Sequence, residues 1–326
     1  MKTKRNLMQL LTVAFMMFAA LVRAQTTPSV LAFWQFNEQA SGGVSSTNIG
    51  AILDSSGNGF NGTTTIPINY VAGSPAYGST PALNFVMGNL NFVDVPDPTG
   101  AFVFAISQSF TLEAVVQTTD SGENGVGCIV GKVPASGSVS QWWWRINAGK
   151  SELAVRNSAS QQIVFDSTVS VADGHWHHLA AVYDASAQLL RLYVDYVLNT
   201  NKAAVFSSGG TIGIQSQDVA IGAFPADNDR YFDGKIDFVR ISSAALAPSQ
   251  FIQPTPTNIV FSVSSGKLTL SWPQDYTGWT LQAQTNDLNH GLGTNWISVA
   301  SSTATNQIIM PINPANPAVF YRLSLP

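Results

Sequence analysis

Charge is scarce in this chain of 326 residues. Asp, Glu, Lys and Arg together make up 10% of it, where ordinary globular chains have about 25%. The formal net charge is −4, and beyond the first five residues no run of Lys and Arg occurs. Without a basic patch there is nothing to hold the phosphates of a nucleic acid, so that class of partner is excluded. Cysteine is almost absent as well. Cys128 stands alone, so no disulfide forms within the chain and stability must come from core burial or a bound metal. It lies in the apolar run Val126-Gly-Cys-Ile-Val130, which predicts a buried structural thiol, not a reactive one. Glutamate is rare too: Glu38, Glu113, Glu123 and Glu152 are the four, and they are scattered. No Gly-x-Ser-x-Gly elbow is present. After residue 24 no apolar stretch is long enough to span a bilayer, and helical periodicity is nearly missing.

Apolar residues, by contrast, reach 45%, which suits a full core and argues against disorder. Ser, Thr, Asn, Gln and Gly are left to cover the surface. At the start of the chain, Lys2, Lys4 and Arg5 precede an apolar run from Leu7 to Val22. Val22-Arg23-Ala24 then offers a cleavage point before Gln25. This pattern predicts a signal peptide over residues 1–24, and with it an exported protein, secreted or at the cell surface. An uncleaved anchor is the alternative, though the apolar run is short for one. No Cys stands at the cleavage point, which excludes a lipoprotein.

From residue 30 onward, period-two alternation is broken by Gly, Asn, Asp and Pro. Strands are predicted at 30–36, 82–85, 91–95, 109–117, 127–132 and 141–146. More follow at 152–156, 162–166, 175–183, 189–194, 219–223 and 234–242, with one short helix or turn at 244–252. So many short strands predict a β-sandwich or jelly roll filling residues 25–252 as one domain. Gln253-Pro-Thr-Pro-Thr-Asn258 reads as a stiff linker. Residues 259–326 carry about six more strands, enough for a small Ig-like β-sandwich.

Four stretches carry a family likeness. They are Phe33-Trp-Gln-Phe36 with Asp54-Ser-Ser-Gly-Asn-Gly59, then Ser109-Phe-Thr-Leu-Glu-Ala114. Next is Gly174-His-Trp-His-His-Leu-Ala-Ala-Val-Tyr-Asp184 running into Leu190-Arg-Leu-Tyr-Val-Asp195, and last Phe232-Asp-Gly-Lys-Ile-Asp-Phe-Val-Arg-Ile241. In this order they resemble the LamG-like jelly roll of the concanavalin A-like lectin/glucanase superfamily. The resemblance implies the fold and leaves the activity open, because lectins, adhesive modules and hydrolases share it. Leu270-Ser-Trp-Pro273, Gly278-Trp-Thr-Leu-Gln-Ala-Gln284, Gly293-Thr-Asn-Trp296 and Phe320-Tyr-Arg-Leu323 are similar to a small terminal module of exported bacterial proteins.

Asp237 falls within a strand, and alternation places it on one face with Val239 and Ile241. A buried carboxylate there needs a cation, a metal or several hydrogen-bond donors. In the family a structural Ca²⁺ is common near this position, and Asp54 and Asn58 offer further oxygens in a loop like the first half of an EF-hand. Thr65 stands where the EF-hand Glu belongs, so an EF-hand is excluded. Two expectations remain: a looser Ca²⁺ site built from Asp54, Asn58 and Asp237, or an Asx/Gly turn with Asp237 paired to Lys or Arg.

Trp142-Trp-Trp144 offers flat faces for pyranose rings, with Trp142 and Trp144 side by side and Trp143 opposite. Their alternative is the core. His175 and His177 share a strand face and could chelate a metal. Against that, Trp176 is expected to fill the core while the histidines bond locally. A retaining glycosidase needs two carboxylates about 5–5.5 Å apart. The related glucanases carry them as Glu-x-Asp-x-Glu, which this chain lacks. The expectation is therefore a non-catalytic binding module for a carbohydrate or cell-surface component. The alternatives are an adhesive protein that binds protein, and a hydrolase whose carboxylate pair sequence does not reveal.

Overall fold

In the computed structural model the described residues are 30–324, apart from 79, 122–126, 135–140, 208, 215–216, 225–229, 256–257, 277–278, 287–291, 314–315 and 317. The expected leader over residues 1–24 lies outside them, as do residues 256–257 of the expected linker. In chain order the first strands are β1 (Val30–Trp34), β2 (Thr63–Thr64), β3 (Asn69–Ala72), β4 (Pro81–Phe85), β5 (Val93–Val95) and β6 (Phe104–Ala105). Then come β7 (Phe110–Gln117), β8 (Gly127–Lys132), β9 (Gln141–Asn147), β10 (Lys150–Arg156), β11 (Gln162–Asp166) and β12 (Trp176–Asp184). The series ends with β13 (Leu189–Val194), β14 (Val197–Ala203), β15 (Thr211–Ile212), β16 (Val219–Ile221) and β17 (Gly234–Ser242).

These strands form a jelly-roll sandwich. One sheet has eight strands in the order β14-β13-β12-β7-β17-β4-β3, with β1 also pairing β17. The other has seven, in the order β11-β10-β9-β8-β16-β5-β2. Alternation decides what lies between them. Leu112, Ala114 and Val116 of β7 meet Trp142, Trp144 and Ile146 of β9 in one core cluster, together with Trp34, Phe85 and Phe110. The dipeptide Asp233-Gly234 brings β17 in against β7. Gly234 has φ +147°, and a Cβ there would lie 2.4 Å from the Gln117 carbonyl oxygen, so the approach needs glycine.

Two buried charge clusters pin loops onto this frame. Lys132 and Asp97 form a fully buried ion pair at 2.8 Å. Asp97 also accepts the backbone N–H of Ala101 (2.7 Å) and Phe102 (3.1 Å), which closes that loop over one end of the core. On the outer face of the larger sheet, Glu113 accepts from Arg240 Nε at 2.6 Å, lies 3.3 Å from His178 Nε2, and accepts the Ile252 N–H at 2.9 Å. Leu246 and Phe251 pack there on Ala180, Val182 and Tyr193. Residues 244–252 are thus a strap tied down by Glu113. The short helix or turn expected there is one 3₁₀ turn, Pro248–Gln250, opened by Pro and closed by the Phe251 N–H, which donates to the Pro248 carbonyl at 3.3 Å.

Beyond the strap, β18 (Val260–Ser264), β19 (Lys267–Ser271), β20 (Thr280–Asn286), β21 (Ile297–Ser298), β22 (Gln307–Pro311) and β23 (Ala318–Ser324) make two sheets. Each has three strands, ordered β18-β19-β22 and β21-β20-β23. Leu270, Trp272, Tyr276 and Leu281 are their buried centre, joined by Ala76 of the Pro75–Tyr77 turn. Among the described residues no helix is long and apolar enough to cross a membrane.

Candidate ligand-binding face

Trp142 and Trp144, expected as a sugar-stacking pair, do share a face of β9, but it is the inner face. Both are fully buried. Their indole N–H groups are spent inside, Trp142 on the Phe102 carbonyl (3.0 Å) and Trp144 on the Ser151 hydroxyl (2.9 Å). Neither can meet a ligand, which corrects that expectation. Both faces of β9 are aromatic, so alternation alone could not say which pointed inward.

Trp143 lies on the outer face at 8% exposure, edge-on to Phe224 at 5.9 Å, with the Arg145 guanidinium 5.7 Å from its ring centre. Glu152 sits beside it, accepting from Trp143 Nε1 (3.3 Å) and Asn147 Nδ2 (2.7 Å) and paired with Arg145 at 2.5 Å. Asp166 is the direct cross-strand partner of Glu152. Burial, and then the charge and hydrogen bond of Glu152, hold the Asp166 carboxyl above the usual range. Here is a carboxylate pair that sequence did not reveal. Glu152 is already held by Trp143, Asn147 and Arg145, which ties it into the surface of the sheet.

The residues expected to hold Ca²⁺ do not fit it. Asp54 Oδ1 accepts the N–H groups of Phe33 and Ser56, both at 2.9 Å. Its Oδ2 accepts the Ser56 hydroxyl at 2.8 Å and the Phe60 N–H at 3.0 Å. Hydrogens therefore point at both oxygens where a cation would sit. Asn58 turns its amide nitrogen to the carbonyls of Val30 (3.1 Å) and Leu31 (3.0 Å). Asp237 bonds elsewhere, to the Ser74 N–H at 2.6 Å and the Thr80 hydroxyl at 3.2 Å. Six to eight oxygens around one point are not assembled. Asp54–Gly59 is an Asx-type turn.

Asp237 also departs from its expected face. β17 pairs β4 through Gly234–Ile236 and β1 through Val239–Ser242. The register against β7 slips between Ile236 and Phe238. Asp237 is the extra residue of that bulge, so Ile236 and Val239 both point inward while Asp237 turns toward the β3–β4 loop.

The histidines diverge. His175 is exposed, and its N–H goes to Asp173 at 2.9 Å. His177 lies between two carboxylates, Nδ1 at 2.8 Å from Asp195 and Nε2 at 3.1 Å from Asp173. Burial opposes its charge, yet Asp195 and Asp173 outweigh burial and push its pKa up to about 9. His178 stacks on Tyr196 with ring centres 4.3 Å apart. Among the described residues no group of three or more His, Cys, Asp or Glu side chains could hold a metal. Cys128 is fully buried, as expected, and burial raises its thiol pKa.

Trp176 is half-buried and stands outside the core cluster, which corrects its expected core position. It starts a row across the outer face of the larger sheet. Trp176 lies opposite Gln117, Gln117 opposite Lys235, Lys235 opposite Asn84, and Asn84 opposite Asn69. With strands about 4.8 Å apart the row runs roughly 19 Å. Lys235 Nζ is 5.9 Å from the Trp176 ring centre, and Gln117 Nε2 donates to the Gly174 carbonyl at 2.8 Å. Among the described residues the side chains of Asn69, Asn84 and Lys235 have no hydrogen-bond or ion-pair partner. A cleft of about 350 Å³ opens along Asn84, Gln117, Lys235, Thr118, Thr119 and Asp233. A signal for Trp176 was present: it is out of phase with Leu179 and Ala181, which face the core. Ala180 and Val182 hid it, being apolar under the strap.

A family model for the concanavalin A-like lectin/glucanases superfamily matches residues 88–251, half of the chain. With the two-sheet jelly roll, that match defines the class. The chain belongs to the concanavalin A-like lectin/glucanases superfamily. Similar solved structures include domain 4 of AbnA, an extracellular arabinanase from Geobacillus stearothermophilus, solved with arabinotriose. It is 19% identical, covers 69% of this chain and 97% of its own, and has a TM-score of 0.48. The binding domain of Paraclostridial Mosquitocidal Protein 1 is 12% identical over 90% of this chain and 73% of its own, with a TM-score of 0.47. The receptor binding domain of botulinum neurotoxin D is 14% identical over 83% and 71%, with a TM-score of 0.46. The comparison with curated proteins found no match.

Proposed function

We propose that the chain is an exported, non-catalytic binding module for a glycan, held along the row Trp176–Gln117–Lys235–Asn84–Asn69. The supporting observation is that the side chains of Lys235 and Asn84 have no hydrogen-bond partner among the described residues and line an open cleft, with Lys235 beside a half-buried indole. Amides that donate and accept, an ammonium that donates and an aromatic face are the groups that polyols and pyranose rings need. A row of roughly 19 Å accommodates several sugar units in line. Export is supported by the basic and apolar pattern of residues 1–24.

The test is a glycan array followed by polysaccharide pull-down. The Trp176→Ala and Lys235→Ala variants are expected to lose about tenfold or more in affinity, equivalent to about 1.4 kcal/mol. Retained glycan binding in both variants would remove the row from the account. Reducing-sugar release from a bound polysaccharide would overturn the non-catalytic part.

A protein partner is the second reading, and the exposed apolar strand β18 favours it. Val260, Phe261 and Val263 stand 64%, 70% and 59% exposed. Capture of protein with no glycan bound would select it.

A further inference from the structure

A second cavity of the same sheet has different chemistry. It holds about 240 Å³ and is lined by Phe33, Tyr77 and Phe238, with Asp237, Thr80 and Gln35 among its polar walls. That is smaller than the roughly 300–1,000 Å³ typical of sites for whole ligands, and suits a single head group. The rings stand edge to face, Phe33 and Phe238 at 5.9 Å and Tyr77 and Phe238 at 5.3 Å.

Asp237, 1% exposed, accepts, among the described residues, only the Ser74 N–H and the Thr80 hydroxyl. An ionised carboxylate has about four acceptor positions, so part of its capacity is unused. The backbone closes on it from one side: a Cβ on Gly73 would lie 2.8 Å from Oδ2. Among the described residues no Lys, Arg or His forms an ion pair with it. Burial accordingly pushes its pKa up to about 7, against the pull of its two hydrogen bonds. A hard metal ion is poorly served here, because Asp237 is the one carboxylate among the lining residues and much of the wall is the aromatic rings of Phe33, Tyr77 and Phe238.

We propose that this cavity is a receptor for an alkylammonium group, such as an amine or a lysine side chain carries, with Asp237 as counter-ion and Phe33, Tyr77 and Phe238 as walls. The ammonium supplies the positive charge that Asp237 lacks, and its donors take up the free lone pairs. Its methylenes and its charge both suit aromatic surfaces.

The experiment is titration of the full chain with n-butylammonium chloride, followed by ¹H NMR of the aromatic rings. n-Butanol is the neutral match in shape, and an Nα-acetyl-lysine amide separates a side-chain source from a free amine. Saturable shifts of the Phe33, Tyr77 and Phe238 resonances are expected with butylammonium. Butanol should bind about tenfold more weakly or worse. Asp237→Asn preserves shape and should lose about tenfold, and Phe33→Leu, which keeps the carboxylate, a few-fold. Equal binding of butanol, undiminished binding by folded Asp237→Asn, or no saturable shift in the wild type each overturns the proposal. Glycan binding along Trp176–Asn69 should survive Asp237→Asn, so the two sites stand or fall separately.

Discussion

In residues 30–252 a strand such as β7 is covered on both sides. Leu112, Ala114 and Val116 face the second sheet, while Thr111 and Glu113 lie beneath the strap of residues 244–252. In residues 259–324 the strand β18, with the equally apolar sequence Val-Phe-Ser-Val-Ser, is exposed at all five positions. The two segments carry the same period-two pattern and differ in what lies opposite. The larger sandwich has a second layer plus a strap, and the smaller pair of sheets has one buried centre around Leu270 and Leu281. Alternation says which residues go together. An opposing layer decides whether their burial stabilises anything.

The contrast can be broken most sharply at Trp144. Trp144→Ala removes a fully buried indole and leaves the Ser151 hydroxyl without its donor. A loss of about 3–5 kcal/mol is expected, read as a lower urea midpoint. A smaller loss than about 1 kcal/mol would mean that the core relaxes far more than its packing implies.

A middle-sized effect is expected from His177. Its pKa of about 9 in the fold exceeds the unfolded value of about 6.5, so the folded chain keeps a proton that the unfolded chain gives up in that window. The contribution is complete below about pH 6.5 and disappears as pH rises through about 9. Asp173 and Asp195 are partly exposed, so its size is on the order of 1–2 kcal/mol. Urea melts at pH 6 and pH 10 check this, with His177→Gln as reference; identical pH profiles for the two proteins would remove the effect.

The smallest change is expected in β18. Phe261→Ser should alter stability by no more than about 0.5 kcal/mol, since its ring is largely in solvent. A loss above about 1 kcal/mol would show that something covers this strand in solution.

Much of the fold was legible because buried strands announce themselves. Residues 127–132, 162–166, 189–194 and 234–242 form the strands expected, end to end. Asn69–Ala72 and Val197–Ala203 were missed. Both are outermost strands of the larger sheet, and the second carries Asn, Thr and Lys because neither face is fully covered. The site was harder. Alternation pairs Trp142 with Trp144 correctly but cannot say which side they take, because the outer face of β9 is apolar too, with Trp143 packed on Phe224 beside Cys128 and Ala154. Asp237 changed sides through one extra residue, and no single-strand pattern signals a bulge. The Asn69–Trp176 row joins residues from five strands that only tertiary register brings into line.

The pairing of β1 with β17 has a kinetic consequence. Val30, the first described residue, finds its partner at Ser242, and β17 is also the centre strand that joins β7 to β4. Closure must therefore wait for nearly the whole sandwich sequence to become available. Pairings this distant along the chain are slow to nucleate, so in an emerging chain β1 rests on its contacts with the Asp54–Phe60 turn until β17 appears. Order of synthesis and order of assembly run against each other, and the last strand to arrive is the one that admits the first.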